Sequence, residues 1–151
     1  MKKILFIVPI ALLFLTGCGS ESYTKTVCTN TVDINESTTL AAEYSIYAEG
    51  DIVHILSSTE ALKSDDKELL DDYKQKLSEV YGVYSQVPYY FNAIFEEEGY
   101  LTSITTVNYF KVNTDDLIKI DENNANIISD GIVSLSVLRE LYESNGAVCS
   151  R

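Results

Sequence analysis

The 151-residue sequence contains no tryptophan, two prolines, three cysteines and a single histidine, His54. Serine and cysteine nucleophiles are usually activated by a histidine base, and the only one here lies in a β-branched, strand-like segment. We therefore expect His54 to be a packing or surface residue. No Gly-x-Ser-x-Gly or Cys-x-x-Cys motif occurs, so the usual spacings of a serine hydrolase and of a small zinc site are missing. The sequence predicts a protein that is not an enzyme.

Basic residues are also scarce, with 11 Lys and Arg against 23 Asp and Glu and a net charge of −12. Nucleic acids and anionic lipid surfaces are bound through clusters of Lys and Arg, which an acidic chain of this kind repels. The composition thus excludes nucleic acid as a partner. Carboxylates are plentiful, but no pair of them has a spacing that singles it out as a catalytic pair.

A membrane-spanning run is missing as well. The apolar stretch from Ile4 to Thr16 is 13 residues long, whereas spanning a bilayer takes about 20. Lys2 and Lys3 precede the stretch and small residues follow it, which is the layout of an export signal. The next four residues, Leu-Thr-Gly-Cys, end at Cys18 and resemble the lipobox of bacterial lipoproteins.

The lipobox resemblance implies cleavage before Cys18 and a diacylglyceryl group on its sulfur. Two acyl chains, each contributing about 0.8 kcal/mol per buried CH₂, anchor a protein stably to a membrane. We expect residues 1–17 to be a lipoprotein signal peptide, 18–22 to be the lipidated cysteine with a polar linker, and 23–151 to form one domain. The predicted location is the cell membrane, facing outside the cytoplasm.

The two remaining cysteines, Cys28 and Cys149, are predicted to form a disulfide, because cysteines in an oxidising compartment usually pair. The alternative is two separate buried thiols. A bridge between them would join the first strand to the last residues of the chain.

Hydrophobic periodicity predicts an α+β fold. Three strands in a row favour an antiparallel meander, a second hairpin follows a helix, and the helices pack on one face of the sheet. The acids Asp65 and Glu68 have capping-box spacing at the start of the first helix, Thr114 is a candidate cap of the second, and Ser134 begins the third. The predicted strands are 23–32, 38–48, 52–59, 87–97 and 100–112, and the predicted helices are 65–82, 114–119 and 134–144. Both faces of the fourth strand are apolar, which predicts a strand covered on two sides.

Eleven tyrosines are the most unusual feature of the composition. Four of them, Tyr81, Tyr84, Tyr89 and Tyr90, cluster between the first helix and the fourth strand. Exposed aromatic residues mark binding surfaces, so this cluster is a candidate binding patch. The alternative is that tyrosine is simply the large residue used in these strands.

No cofactor or metal is expected from the sequence. The oxygen-rich segment 121–126 offers possible ligands for calcium, but an EF-hand requires glycine at its sixth position and glutamate at its twelfth. Asn126 and Ile132 stand there. At most a weak, irregular cation site is left open.

Several segments together resemble the YehR-like lipoproteins, a group of small bacterial proteins with a domain of unknown function. They are residues 15–18, the segment Thr-Val-Cys-Thr at 26–29, the helical and strand segments 73–81 and 105–109, and the final Asn-Gly-Ala-Val-Cys at 145–149. The resemblance covers the whole chain after the signal peptide. It implies an α+β lipoprotein domain with two cysteines near its ends, and it implies no activity.

Taken together, the sequence predicts a lipid-anchored, non-enzymatic binding module at the cell surface whose protein or small ligand is unknown. The alternative is a structural or assembly accessory of the cell envelope. A concave, tyrosine-lined pocket would favour the first of these.

Overall fold

The computed structural model describes residues 23–150, and Cys18, the predicted signal peptide and the predicted linker up to residue 22 lie outside them. The strands and helices follow one another in runs rather than in strict alternation. They are β1 Thr24–Asn35, β2 Thr38–Glu49, β3 Ile52–Lys63, α1 Lys67–Gly82, β4 Tyr90–Glu97, β5 Tyr100–Asn108, α2 Thr114–Ile120, a 3-10 helix Glu122–Asn126, β6 Ile128–Ser129, β7 Ile132–Val133, α3 Leu135–Ser144 and β8 Val148–Ser150.

Six strands form one antiparallel sheet in the order β4-β5-β3-β2-β1-β8, and β6 and β7 form a small separate hairpin. Tight turns set the register, with Gly50 between β2 and β3 and Gly99 between β4 and β5 both at positive φ, where only glycine avoids a steric penalty. The predicted meander and second hairpin are confirmed.

The helices cover one face of this sheet, as predicted, and create two hydrophobic clusters. One contains Leu70 and Leu77 of α1 packed over Leu62 and Leu101 of the central strands. The other places Leu135 and Leu138 of α3 over the opposite end of the sheet; its sheet residues include Cys28, Ile46 and Val107. Burying leucine and isoleucine side chains in this way contributes about 1.5–3 kcal/mol each.

The opposite face of the sheet is open at the β4 edge, so the prediction that β4 is covered on two sides is wrong. Phe91 and Phe95 of β4 are 58% and 53% exposed. Within residues 23–150, α1 and α3 pack on the side of the sheet that holds the leucines.

Helix starts differ slightly from expectation. Asp66 rather than Asp65 caps α1, accepting a hydrogen bond from the Leu69 amide at 3.1 Å. Asn113 rather than Thr114 caps α2, through a bond of 3.2 Å from the Asp115 amide. In both cases the residue next to the predicted one has the extended backbone that a cap requires.

Ser134 begins α3 as predicted, but the carboxylate at its N-terminus comes from the β2–β3 turn. Asp51 accepts a 2.8 Å hydrogen bond from the Ser136 amide and further bonds from the Ser134 and Ser136 hydroxyls. The Leu135 amide donates to the Asp51 carbonyl oxygen at 2.8 Å. A turn of the meander thus fixes where α3 lies on the sheet.

The C-terminal residues form β8, which the sequence analysis did not predict. Cys149 lies directly opposite Cys28 of β1, and the two form a disulfide with Cα atoms 4.0 Å apart. The predicted bridge is confirmed, and it joins positions separated by 121 residues. Within residues 23–150, no helix is both long and apolar enough to cross a membrane.

Candidate functional site

A cleft of about 240 Å³ opens between the two hydrophobic clusters on the helix-covered face of the sheet. It exists because α1 and α3 pack over opposite ends of the sheet, which leaves the middle of the central strands uncovered. Six of the residues that line it are tyrosines. The lining residues are Tyr44, Leu56, Ser58, Glu60, Val80, Tyr81, Tyr84, Tyr90, Thr105, Val107, Tyr109, Leu117, Asn124 and Tyr142.

The floor of the cleft is a polar patch in the middle of an otherwise apolar sheet face. Ser58 of β3 lies opposite Tyr44 on one side and Thr105 on the other, and Glu60 follows it on the same face. Asn92 of β4 donates to the Thr105 hydroxyl at 2.8 Å and to the Ser103 hydroxyl at 3.0 Å. These bonds satisfy the polar groups that the strands bring under the helices.

Glu60 is the one carboxylate among the described residues that line the cleft. Burial raises its pKa above the usual value, and a hydrogen bond with the Tyr81 hydroxyl offsets part of this rise. No lysine, arginine or histidine is among the described residues that line the cleft. The carboxylate is thus partly desolvated without a cationic partner, which disfavours its charged form.

The tyrosines around Glu60 remain protonated well beyond neutral pH. Burial and the nearby Glu60 carboxylate raise the pKa of Tyr81 to about 12, and burial raises the pKa of Tyr109 to about 12. The pKa of Tyr142 is raised mainly by burial, with further contributions from neighbouring tyrosines and from Glu60. None of these hydroxyls acts as a base near neutral pH.

Two stacked tyrosine pairs line the cleft. Tyr84 and Tyr90 have ring centroids 4.7 Å apart with planes 14° from parallel. Tyr44 and Tyr142 are 4.0 Å apart at 11°. The Asn124 side chain donates to the Tyr84 hydroxyl at 3.2 Å and to the Leu117 carbonyl at 2.9 Å, so the 3-10 helix holds one pair in place.

Of the four tyrosines predicted as a binding patch, the structure brings together Tyr81, Tyr84 and Tyr90 in the cleft. Tyr89 is not among the residues that line the cleft. Its backbone has φ of 66°, its side chain is 57% exposed, and the Lys111 ammonium lies 5.7 Å from its ring centroid. Tyr89 lies in the turn before β4, and its side chain points away from the side on which the Tyr90 side chain lies.

Sequence reasoning missed Glu60, Tyr44, Tyr109 and Tyr142 as members of the site. Glu60 could have been found, because it alternates in phase with Leu56 and Leu62 and therefore points to the core side of β3. The tyrosines come from β2, from the end of β5 and from α3, which are far apart in the sequence. No local pattern brings them together.

His54 lies outside the cleft, as a packing residue. It is the extra residue of a bulge in β3, it is 9% exposed, and its ring stacks on Phe110 with centroids 5.1 Å apart. A larger depression of about 400 Å³ runs along the exposed side of α3, but it is lined by that helix alone, and the Arg139–Glu143 ion pair lies in it. It has no second wall that could enclose a ligand.

The segment 121–126 proves to be an α2–β6 connection rather than an open ligand loop. Asp121 uses its Oδ1 atom to accept from the Asn123 amide at 2.9 Å and from the Asn123 side chain at 2.8 Å. Across residues 23–150, no group of three or more histidine, cysteine or acidic side chains is placed to hold a metal ion.

The cleft therefore offers aromatic surface, hydroxyl groups and one negative charge. This combination suits reversible binding of a small molecule that carries apolar surface. It repels an anionic ligand, because Glu60 has no cationic partner in the cleft.

No protein-family model matches the chain, and no curated protein matches it. Among solved structures, the NMR structure of the Escherichia coli YehR protein is similar, with a TM-score of 0.57 at 16% identity over 87% of this chain and 93% of that one. The NMR structure of a protein from Streptococcus pneumoniae TIGR4 has a TM-score of 0.56 at 9% identity over 99% and 98% of the two chains. At these identities the similarity establishes the fold, and the predicted YehR-like resemblance is confirmed at that level.

Proposed function

We propose that the protein is a lipid-anchored lipoprotein outside the cytoplasm whose folded domain binds a small ligand in the tyrosine-lined cleft. The observation that carries the proposal is the cleft itself, where the covered face of the sheet stays open around Glu60 instead of closing into one core. A non-enzymatic role is favoured because the cleft combines one carboxylate with tyrosines that do not titrate near neutral pH.

Two features support the extracytoplasmic anchor. The residues before Cys18 follow the order of an exported lipoprotein, and the Cys28–Cys149 disulfide suits an oxidising compartment. Intact-mass measurement of the protein from its native membrane should find a diacylated N-terminus at Cys18. The variant Cys18→Ala should lack the lipid mass. An unlipidated wild-type protein would overturn this part of the proposal.

The cleft is tested with a small-fragment library and the full-length lipidated protein in an uncharged maltoside detergent. With ring-labelled tyrosine, we expect NMR signals of Tyr81, Tyr90 and Tyr142 to shift when a fragment binds. Signals of Tyr89 and Tyr100, which lie outside the cleft, provide the internal control. Equal shifts at all five tyrosines, or none with any fragment, would contradict a ligand site in the cleft.

A second candidate function, an accessory role in the cell envelope, is favoured by the open sheet face. Phe91 and Phe95 project from β4 on the side opposite the cleft, and exposed aromatic residues are enriched where proteins meet. Photo-crosslinkers placed at these two positions would capture a reproducible envelope protein if this role is correct. Crosslinkers on the rim of the cleft, at Val80, would not.

A further inference from the structure

We infer that the ligand of the cleft is a small organic cation with an alkylated ammonium head group, bound between the Glu60 carboxylate and the surrounding tyrosine rings. The inference rests on the proposed function of the cleft and adds the chemical class of its ligand.

The charge of the ligand follows from the groups that line the cleft. Among the described residues that line the cleft, Glu60 is the only carboxylic acid and there is no basic side chain. A cation would supply the partner that the partly buried carboxylate lacks, and buried charges in proteins are normally paired. The acidic chain, at −12 overall, also raises the local concentration of cations around the site.

An organic cation fits the cleft better than a metal ion. Calcium takes six to eight oxygen ligands and usually several carboxylates, whereas this cleft provides one carboxylate. Its walls are aromatic instead, and tyrosine ring faces attract cations with a strength that increases when water is excluded. Tyr44, Tyr73, Tyr81 and Tyr142 all lie close enough to Glu60 for its charge to raise their pKa values.

The alkylated form follows from the surface that the cleft offers. A primary ammonium is a compact, strongly hydrated charge with three N–H donors, whereas six of the residues that line the cleft are tyrosines, which present mainly aromatic ring surface. A trimethylammonium group has no N–H donors and spreads its charge over methyl groups that contact ring faces. The volume of about 240 Å³ leaves room for such a head group and a short tail.

The same head group occurs on free solutes and on phospholipids, and the cleft favours the free solute. A phospholipid head group carries a phosphate close to its ammonium, and this anion would lie near the unpaired carboxylate of Glu60. We therefore expect free choline to bind and glycerophosphocholine to bind at least about tenfold more weakly, which corresponds to the cost of one unfavourable charge contact.

The experiment is calorimetric titration of the mature lipidated protein in maltoside micelles. Choline is compared with three other ligands. They are its neutral isostere 3,3-dimethylbutan-1-ol, the primary amine ethanolamine, and glycerophosphocholine, which carries the head group of a phospholipid. Choline should bind most tightly, and the isostere differs from it only in the charge. Equal affinity for choline and the isostere would overturn the inference.

Variants assign the binding to the cleft. Glu60→Gln should weaken choline binding roughly tenfold or more, since it removes the charge and keeps the shape. Tyr81→Leu should weaken it several-fold and Tyr81→Phe should keep the cation–ring contact. Glu97→Gln and Tyr100→Leu, on the outer face of the sheet, are the matched controls. If Tyr81→Leu does not fold, Glu60→Gln still tests the inference. Unchanged choline binding by Glu60→Gln would refute it.

The outcome also separates this inference from the proposed function. If neutral or anionic fragments shift the NMR signals of the cleft tyrosines and choline does not bind, the cleft is a ligand site but the inferred ligand class, an organic cation, is wrong. If no fragment of any class shifts them, the proposed function fails as well.

Discussion

The ring of Tyr142 in α3 stacks on the ring of Tyr44 in β2, with their centroids 4.0 Å apart. Tyr44 lies opposite Cys28 in the sheet, and Cys28 is bonded to Cys149 in β8, the strand that follows α3. The α3 wall of the cleft is therefore attached to the sheet twice, through the ring stack and through the disulfide. The disulfide therefore helps to hold α3 in place beside the cleft, in addition to joining β8 to β1.

Reducing the Cys28–Cys149 disulfide should lower the free energy of unfolding by about 5 kcal/mol. The bridge closes a loop with a sequence separation of 121, and the chain-entropy model gives about 5 kcal/mol for a loop of this length. Urea unfolding with and without a reductant measures the difference. The control is the Cys28→Ala/Cys149→Ala variant, whose stability should not respond to the reductant. A change below about 1 kcal/mol in the wild type would contradict the model.

Replacing Asp51 with alanine should destabilise the protein by about 1 kcal/mol at neutral pH, the usual cost of losing an N-terminal cap. Hydrogen bonds from the Ser134 hydroxyl and the Ser136 amide lower the pKa of Asp51 below its usual 3.8. A lowered pKa means that the stabilisation is complete above 3.8 and is lost as the pH falls through the lowered value.

Urea unfolding of Asp51→Ala across the acid range would test both the size and the pH dependence of this effect. The control is Asp65→Ala, since Asp65 is exposed and makes no hydrogen bond or ion pair with the described residues. A loss in Asp51→Ala that persists unchanged in strong acid would show that the cap does not act through the carboxylate.

The elements that sequence alone predicted are those with strong local signals. The alternation in β2 and the leucine and tyrosine spacing of α1 each fix which face is buried, so β2 and α1 were found close to their true bounds. Asn145 and Gly146 end α3 as expected, and Gly146 has positive φ. In these segments the local preference and the tertiary packing agree.

The elements that were missed depend on distant partners. β8 has three residues and is a strand only because Cys149 pairs with Cys28, while β6 and β7 pair only two residues each. Asp51 reaches α3 from a turn far away in the sequence. The cleft was half predicted for the same reason: Tyr81, Tyr84 and Tyr90 are near one another in the chain, whereas Tyr44 and Tyr142 meet them only in the fold.

Glu60→Gln should make the folded protein more stable at neutral pH, which would appear as a higher unfolding midpoint. Burial raises the pKa of Glu60 in the folded state above 4.5. The folded protein then binds more protons than the unfolded chain, so stability falls as the pH rises from 4.5 through the raised pKa.

Scanning calorimetry of Glu60→Gln and wild type should show equal midpoints in acid and a gap that opens toward neutral pH. Glu97→Gln, an exposed carboxylate on the outer sheet face, should show no such gap. A destabilised Glu60→Gln at neutral pH would mean that the ionised carboxylate is a structural requirement rather than a cost to the fold.

Binding of an organic cation should depend on pH in the opposite direction to stability. Because the ligand needs the ionised carboxylate, affinity should rise with pH through the raised pKa of Glu60 and then reach a plateau. The other titratable groups facing Glu60 are Tyr44 of β2, Tyr73 and Tyr81 of α1 and Tyr142 of α3, whose pKa values all lie above their usual 10.0. They stay neutral throughout, so the ionisation of Glu60 alone should govern how affinity depends on pH.

Choline titrations between pH 4 and 9 would measure this dependence, and Glu60→Gln should bind choline weakly at every pH. A wild-type affinity independent of pH across that range would rule out Glu60 as the group that receives the cation.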